Sequence, residues 1–166
     1  MPLLMVMRHA KSDWISAADY DFDRPLSARG HRAAQRMTEW LSENDLIPDK
    51  VISSSALRTR ETVGYVVDGL ALASEIANFD DSFYLAGPSH WLDTIQDQTD
   101  EKVLICGHNP GLEYLVYGLA PKRPPLTDSG KLMTTAAIAV FAFDCPWAEV
   151  EFGSGRLVHL ARPNEL

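Results

Sequence analysis

The stretch Val103-Leu104-Ile105-Cys106-Gly107-His108-Asn109-Pro110 decides the fold class. Its apolar run has the length of a buried strand and stops at a turn sequence, and Pro110 suits the first turn of a helix. This spacing predicts a strand over 103–106 and a helix from Pro110 to Leu119. The same grammar opens the chain, where Leu3 to Met7 runs into Arg8-His9-Ala10-Lys11. Lys50 to Ser53 and Glu75 to Phe79 read as two further short strands. Between them lie amphipathic stretches. Ser27 is placed to cap a helix reaching about Asp45, with Ala33, Met37, Trp40 and Leu41 on one face. Ser55 is placed to cap the next, which carries Val63, Val66, Val67 and Leu70, and Trp91, Leu92 and Ile95 mark a third over 89–96.

Strands alternating with helices imply a mostly parallel central sheet with helices on both faces, a three-layer α/β sandwich. Thr134 to Phe143 and Arg156 to Ala161 read as strands joined by a loop, and they add mixed or antiparallel strands to that sheet. With no fixed-period repeat and no low-complexity linker, residues 1–166 are expected to form one domain.

Composition narrows the function classes. Lys and Arg total 15 against 23 Asp and Glu, a formal net charge of −8. Such a balance disfavours a nucleic-acid binder, which needs a basic face, and disfavours docking on an anionic membrane. The longest apolar run, Ala136 to Phe143, is too short to span a bilayer. Met1 to Met7 reads as a buried strand and not as a signal peptide. Cys106 and Cys145 make neither a disulfide framework nor a zinc pattern, so the expected setting is cytoplasmic and reducing.

In open α/β sheets, ligands bind beyond the carboxyl ends of the strands, where helix N-termini also point. Arg8, His9, Arg58 and His108 all follow predicted strands, so they converge on one edge as an anion site containing two imidazoles. Arg58 sits where the helix dipole disfavours a cation, which makes sense beside a bound anion; pairing with Glu61 is the plainer alternative. Each histidine taken singly is more often structural than catalytic. No HxH, HExxH or Cys/His cluster points to a metal, and neither a P-loop nor a GxSxG elbow is present. A cysteine-phosphatase loop at Cys106 would need Arg where Leu112 stands. Arg29, Arg32 and Arg36 read as a solvated helix face, Lys122, Arg123 and Lys131 as part of an ordinary loop, and the acidic residues of 13–23 as solvated.

Arg8-His9-Ala10 resembles the Arg-His-Gly signature of the histidine phosphatase, or phosphoglycerate mutase-like, superfamily. Arg58-Thr59-Arg60-Glu61-Thr62 and Gly107-His108-Asn109-Pro110 resemble its second and third blocks. The short chain, the Arg-His-Ala-Lys-Ser start and Asp23-Arg24-Pro25-Leu26-Ser27 with Gly30 are most similar to SixA-type phosphohistidine phosphatases. Ala10 replaces the commoner Gly, a change that keeps the position small.

The resemblance implies that His9 attacks phosphorus and carries the phosphoryl group, that Arg8 and Arg58 clamp its oxygens, and that a protonated His108 donates to it. It implies no cofactor and no metal. Many members use a carboxylate after the third strand as general acid, which points to Asp81. The expected partner is a phosphorylated protein of the histidine-phosphotransfer type or a small phosphorylated molecule, with no nucleic acid and no membrane. The leading expectation is hydrolysis of phosphohistidine on proteins, since the chain is too short for large lid insertions. A phosphatase of a small phosphomonoester or sugar phosphate, and a non-catalytic phosphate-binding module, remain the alternatives. A mutase is least favoured, because it must shield its phosphoenzyme from water.

Overall fold

The computed structural model describes residues 1–14 and 18–166; positions 15–17 of the polar 11–24 segment lie outside the described residues. Six strands form one sheet: β1 (Leu3–Arg8), β2 (Lys50–Ser54), β3 (Ala77–Asp80), β4 (Lys102–Gly107), β5 (Ile138–Phe143) and β6 (Gly155–Ala161). Their spatial order is β3-β2-β4-β1-β5-β6. The first four are mutually parallel, whereas β5 runs antiparallel to both β1 and β6. The expected α/β architecture with mixed strands at its end is therefore present.

Helices α1 (Ala28–Glu43), α2 (Leu57–Gly69), α3 (Pro88–Gln96) and α4 (Gly111–Leu119) cover the sheet. Apolar side chains alternate along each inner strand, so burial divides by parity into two cores. Met5, Met7, Leu104 and Cys106 pack with Met37 and Leu41 of α1 and with Val63 and Val66 of α2. Leu4, Val6, Val103 and Ile105 pack with Trp91 and Ile95 of α3 and with Leu112 and Leu115 of α4. A strand buried on both faces needs a near-continuous apolar run, and this is why β1 and β4 were plain in the sequence.

Of three local expectations, one holds and two shift. Ser27 does cap α1, its hydroxyl accepting from the Gly30 N–H at 3.1 Å. Ser55 does not cap α2: Ala56 holds the cap position, and the Ser55 hydroxyl donates to Asp81 instead. The strand expected from Thr134 begins at Ile138, because Ala136 turns the backbone into the left-handed region at φ 66°.

Two glycines allow close approaches that frame the sheet edge. A Cβ on Gly30 would lie 2.0 Å from the Lys11 carbonyl, so only glycine lets α1 start against the segment after β1. A Cβ on Gly111 would lie 1.8 Å from the Ala86 carbonyl, so glycine also seats the 84–87 segment on α4.

Candidate active site

β1 and β4 are neighbours in register, Arg8 opposite Gly107, and Ser53 of β2 lies opposite Cys106. The residues that follow these strands must therefore meet. They line a cavity of about 240 Å³ that includes Arg8, His9, Arg58, His108, Lys11 and Asn109. The His9 and His108 rings are 5.2 Å apart, and both residues are buried.

The second sequence block works as a brace for the first. Thr62 Oγ1 donates to the Arg58 carbonyl at 2.7 Å and accepts from the Ala10 N–H at 3.0 Å. Thr59 Oγ1 reaches the Ser54 carbonyl, and Glu61 accepts from the Leu26 N–H at 2.8 Å. Glu61 is thus engaged elsewhere, and Arg58 is not its partner. Ala10 is fully buried in this brace.

Hydrogen bonding sets the tautomer of His9. Its Nδ1 lies 2.7 Å from the Ala10 carbonyl, which can only accept, so Nδ1 carries the proton and Nε2 keeps its lone pair. Burial pushes the His9 pKa down to about 3, opposed by the Ala10 carbonyl and helped by the neighbouring His108 ring and the Arg8 and Arg58 charges. At neutral pH this is a neutral imidazole with a free lone pair, the form a nucleophile requires.

His108 departs from expectation. Burial, followed by Arg58, pushes its pKa down to about 4, with Asp21 pulling the other way, so it is neutral and not protonated at neutral pH. It can still donate. Its Nε2 lies 2.8 Å from Ser54 Oγ, a hydroxyl that also accepts from the Ala56 N–H. With the hydroxyl proton directed at Nε2, the ring proton sits on Nδ1, which is buried without a partner.

Arg8 Nη1 donates to the Met133 carbonyl at 3.0 Å, and Asn109 Nδ2 donates to the same oxygen at 2.9 Å. Arg58 binds the Asp21 backbone carbonyl at 2.7 Å and its carboxylate at 2.9 Å. Among the described residues, six buried polar atoms have no partner: Arg8 Nε, Arg24 Nη1, Arg58 Nε and His108 Nδ1 of the cavity lining, the acceptor Asn109 Oδ1 of the same lining, and Trp91 Nε1 outside it. A buried donor left unpaired costs about 1–3 kcal/mol. The three guanidinium nitrogens, joined by His108 Nδ1 in the tautomer that accepts the Ser54 proton, surround a cavity that fits an oxyanion accepting from several sides.

The carboxylate of this site is Asp21, which is exposed, as expected for the acidic 13–23 segment, yet reaches the cavity lining. Asp21 accepts from Arg24 Nε at 3.0 Å, from Arg58 and from the Tyr84 hydroxyl. Burial would raise its pKa, but the Tyr84 and Arg58 hydrogen bonds outweigh that and bring it to about 2. The structure does not bring Asp81 to the cavity lining; it is exposed and accepts from the Ser55 hydroxyl. Arg24 and Trp14 also line the cavity, the Arg24 guanidinium carbon lying 3.4 Å from the Trp14 ring centroid. Arg24, within Asp23-Arg24-Pro25-Leu26-Ser27, is the one of these residues that the resemblance could have pointed to. Nothing in the local sequence marked Asp21 or Trp14.

Other features carry less chemistry. Burial raises the Cys106 thiol to about 12, against a small opposing effect of a hydrogen bond with Ser53, so it is no nucleophile. A larger cavity of about 720 Å³ between α1 and α2 is lined by Glu39, Glu43 and Asp68 with no cation, the wrong sign for phosphate. No group of metal-ligating side chains occurs among the described residues. Nor is any helix among them long and apolar enough to cross a membrane.

Comparison with known proteins bears on the family and the fold. The model of the histidine phosphatase superfamily (branch 1) matches residues 4–78. An uncharacterised protein of Mycobacterium tuberculosis is 33% identical over 161 residues, covering 92% of this chain and 96% of that one. The phosphohistidine phosphatase SixA of Escherichia coli is 28% identical over 144 residues, 85% of each chain. A solved structure of the protein histidine phosphatase SixA complexed with tungstate superposes with a TM-score of 0.77 at 26% identity, covering 98% of both chains.

Proposed function

Because the chain belongs to the histidine phosphatase superfamily, we propose that it is a phosphatase that hydrolyses phosphohistidine on proteins through a phosphoryl group carried on His9. The observation that carries this reading is the Nδ1–H tautomer of His9, locked by the Ala10 carbonyl beside four unpaired buried donors.

The phosphoryl oxygens accept from Arg8, Arg58, Arg24 and His108, and their charge is spread over these donors as the bond to phosphorus changes. The Nε2 lone pair of His9 attacks phosphorus in line. The bond from phosphorus to the substrate imidazole breaks, and its electron pair returns to that ring nitrogen. When the distal nitrogen of the substrate ring is already protonated, the ring departs as neutral imidazole. Water then attacks phosphorus, the His9 bond breaks, and the water proton leaves with the phosphate or to solvent. His9 regains its lone pair, and no metal or cofactor takes part.

The state of Asp21 supports a nitrogen leaving group over an alkoxide. Held ionised by Arg24, Arg58 and Tyr84, it has no proton to give, and Asp81 stands off the lining. An alkoxide needs a general acid far more than an imidazole does. The relative named for phosphohistidine and the neighbour holding tungstate, a tetrahedral oxyanion, support the same reading. A phosphorylated protein of the histidine-phosphotransfer type is the partner this reading names, and a cytoplasmic setting suits it.

The test is a rate comparison between a phosphohistidine protein and a panel of alkyl phosphomonoesters and sugar phosphates. At least about a hundredfold preference in kcat/KM for the phosphohistidine protein is expected. A preference for a sugar phosphate would replace the substrate class, and failure to turn over any of them would leave a phosphate-binding module.

A further inference from the structure

Two large apolar side chains stand exposed on the lining of the same cavity, where the other residues are charged or polar. Trp14 is 72% exposed and Leu85 is 56% exposed. Single exposed apolar residues need no explanation on an ordinary surface. These two differ because each is held in place. One face of the Trp14 ring lies against Arg24, 3.4 Å from the guanidinium carbon to the ring centroid, and Arg24 is itself fixed by Asp21. Leu85 sits at φ 56°, a left-handed conformation that a branched side chain rarely adopts. The segment carrying it is pinned where the Ala86 carbonyl packs on Gly111. A strained backbone that presents an apolar side chain at the mouth of a charged cavity is a feature of binding sites.

We propose that Trp14 and Leu85 form a leaving-group subsite that takes a flat heteroaromatic ring bonded directly to phosphorus, the imidazole of an N-phosphorylated histidine. The inference rests on the phosphatase reading above. The charged floor of the cavity holds the phosphoryl oxygens, and the apolar residues accept what is attached to them. A planar ring gains both from contact with an indole face and, when protonated, from the quadrupole of that face. A ring-free phosphoryl donor leaves the same residues in water and gains nothing from them. Trp14 and Leu85 therefore set which leaving group is favoured, and the chemistry at phosphorus is left to the residues beneath.

Three substrates separate these contributions: N-phosphoimidazole, which has a P–N bond and a ring; phosphoramidate, which has the bond without the ring; and phenyl phosphate, which has a ring beyond an oxygen. Trp14→Ala is expected to lower kcat/KM for N-phosphoimidazole about tenfold more than for phosphoramidate, mainly through KM, the loss common to both substrates being that of the support Trp14 gives Arg24. Trp14→Phe should recover most of the loss, and Leu85→Ala should show a smaller loss of the same selectivity. Equal losses on N-phosphoimidazole and phosphoramidate would overturn the subsite while leaving the phosphatase reading intact. An equal loss on phenyl phosphate would overturn the assignment to imidazole. If the unaltered chain forms no phosphoryl adduct on His9 from phosphoramidate, the phosphatase reading falls and the subsite falls with it.

Discussion

The floor and the rim of the cavity are built by different means. Arg8, His9 and His108 emerge directly from strand ends, and Arg58 comes from the first turn of the helix after β2. Their positions follow from sheet register, and their environment is set by burial. The rim comes from loops: Asp21, Arg24 and Trp14 lie between β1 and α1, and Leu85 lies between β3 and α3. Those residues are placed by one another, through the Asp21 contacts to Arg24, Arg58 and Tyr84 and the stacking of Arg24 on Trp14. Scaffolding in the first case gives geometry that tolerates few changes. Mutual support in the second gives a surface on which Trp14 and Leu85 can be altered to tune the leaving group, while Asp21 and Arg24 also steady the phosphoryl donors.

Substitutions should grade along that division. His9→Ala should lower kcat by at least about a thousandfold in steady-state assays, because the nucleophile has no substitute in the lining. Arg58→Ala should cost about a hundredfold or more in kcat/KM, as expected for loss of a donor to a charged transition state. Arg29→Ala, on the solvated face of α1, should stay within twofold in the same assay, and equal losses for the two arginines would dissolve the distinction between cavity and surface. Asp21→Asn keeps the shape of the side chain and removes its charge. It should cost about tenfold by loosening Arg24 and Arg58, since small misplacements of a charged clamp are felt strongly in rate. A larger loss than that of Arg58→Ala would move Asp21 from support into the chemistry.

The smallest effect is one of stability against pH. Both imidazoles have folded pKa values, about 3 and about 4, below the ordinary value of 6.5. Between those values the unfolded chain binds more protons than the folded one, so stability rises with pH across this window and falls as acid is added. In phosphate-free buffer, Tm should drop as pH is lowered from 6.5 toward 4. His9→Gln and His108→Gln should each flatten that slope, and an unchanged slope in both variants would contradict neutral buried histidines.

How much of this could be read from the sequence follows from the same division. The strands β1 and β4, buried on both faces, announce themselves as apolar runs, so the residues after them could be placed at one sheet edge by topology alone. Arg58 was legible through its position at a helix start. Its pairing was not: Glu61 stands one turn along, yet its carboxylate is taken by the Leu26 N–H, and Asp21 reaches Arg58 from 37 residues away. Such contacts depend on where an aperiodic polar loop folds back, and no local pattern encodes that. Ser55 and Asp81 show the reverse error. A serine before a helix suggests a cap, and an aspartate after the third strand suggests a family acid, but the two satisfy each other and leave both roles. The protonation of His108 was likewise out of reach, because it depends on burial beside the arginines.

Phosphoryl transfer through His9 is the central step, and one measurement addresses it directly. Brief mixing of the protein with labelled phosphoramidate, followed by quenching and peptide mapping, should find an acid-labile, alkali-stable phosphate on His9. Label on another residue, or turnover at the unaltered rate by His9→Ala, would contradict the account.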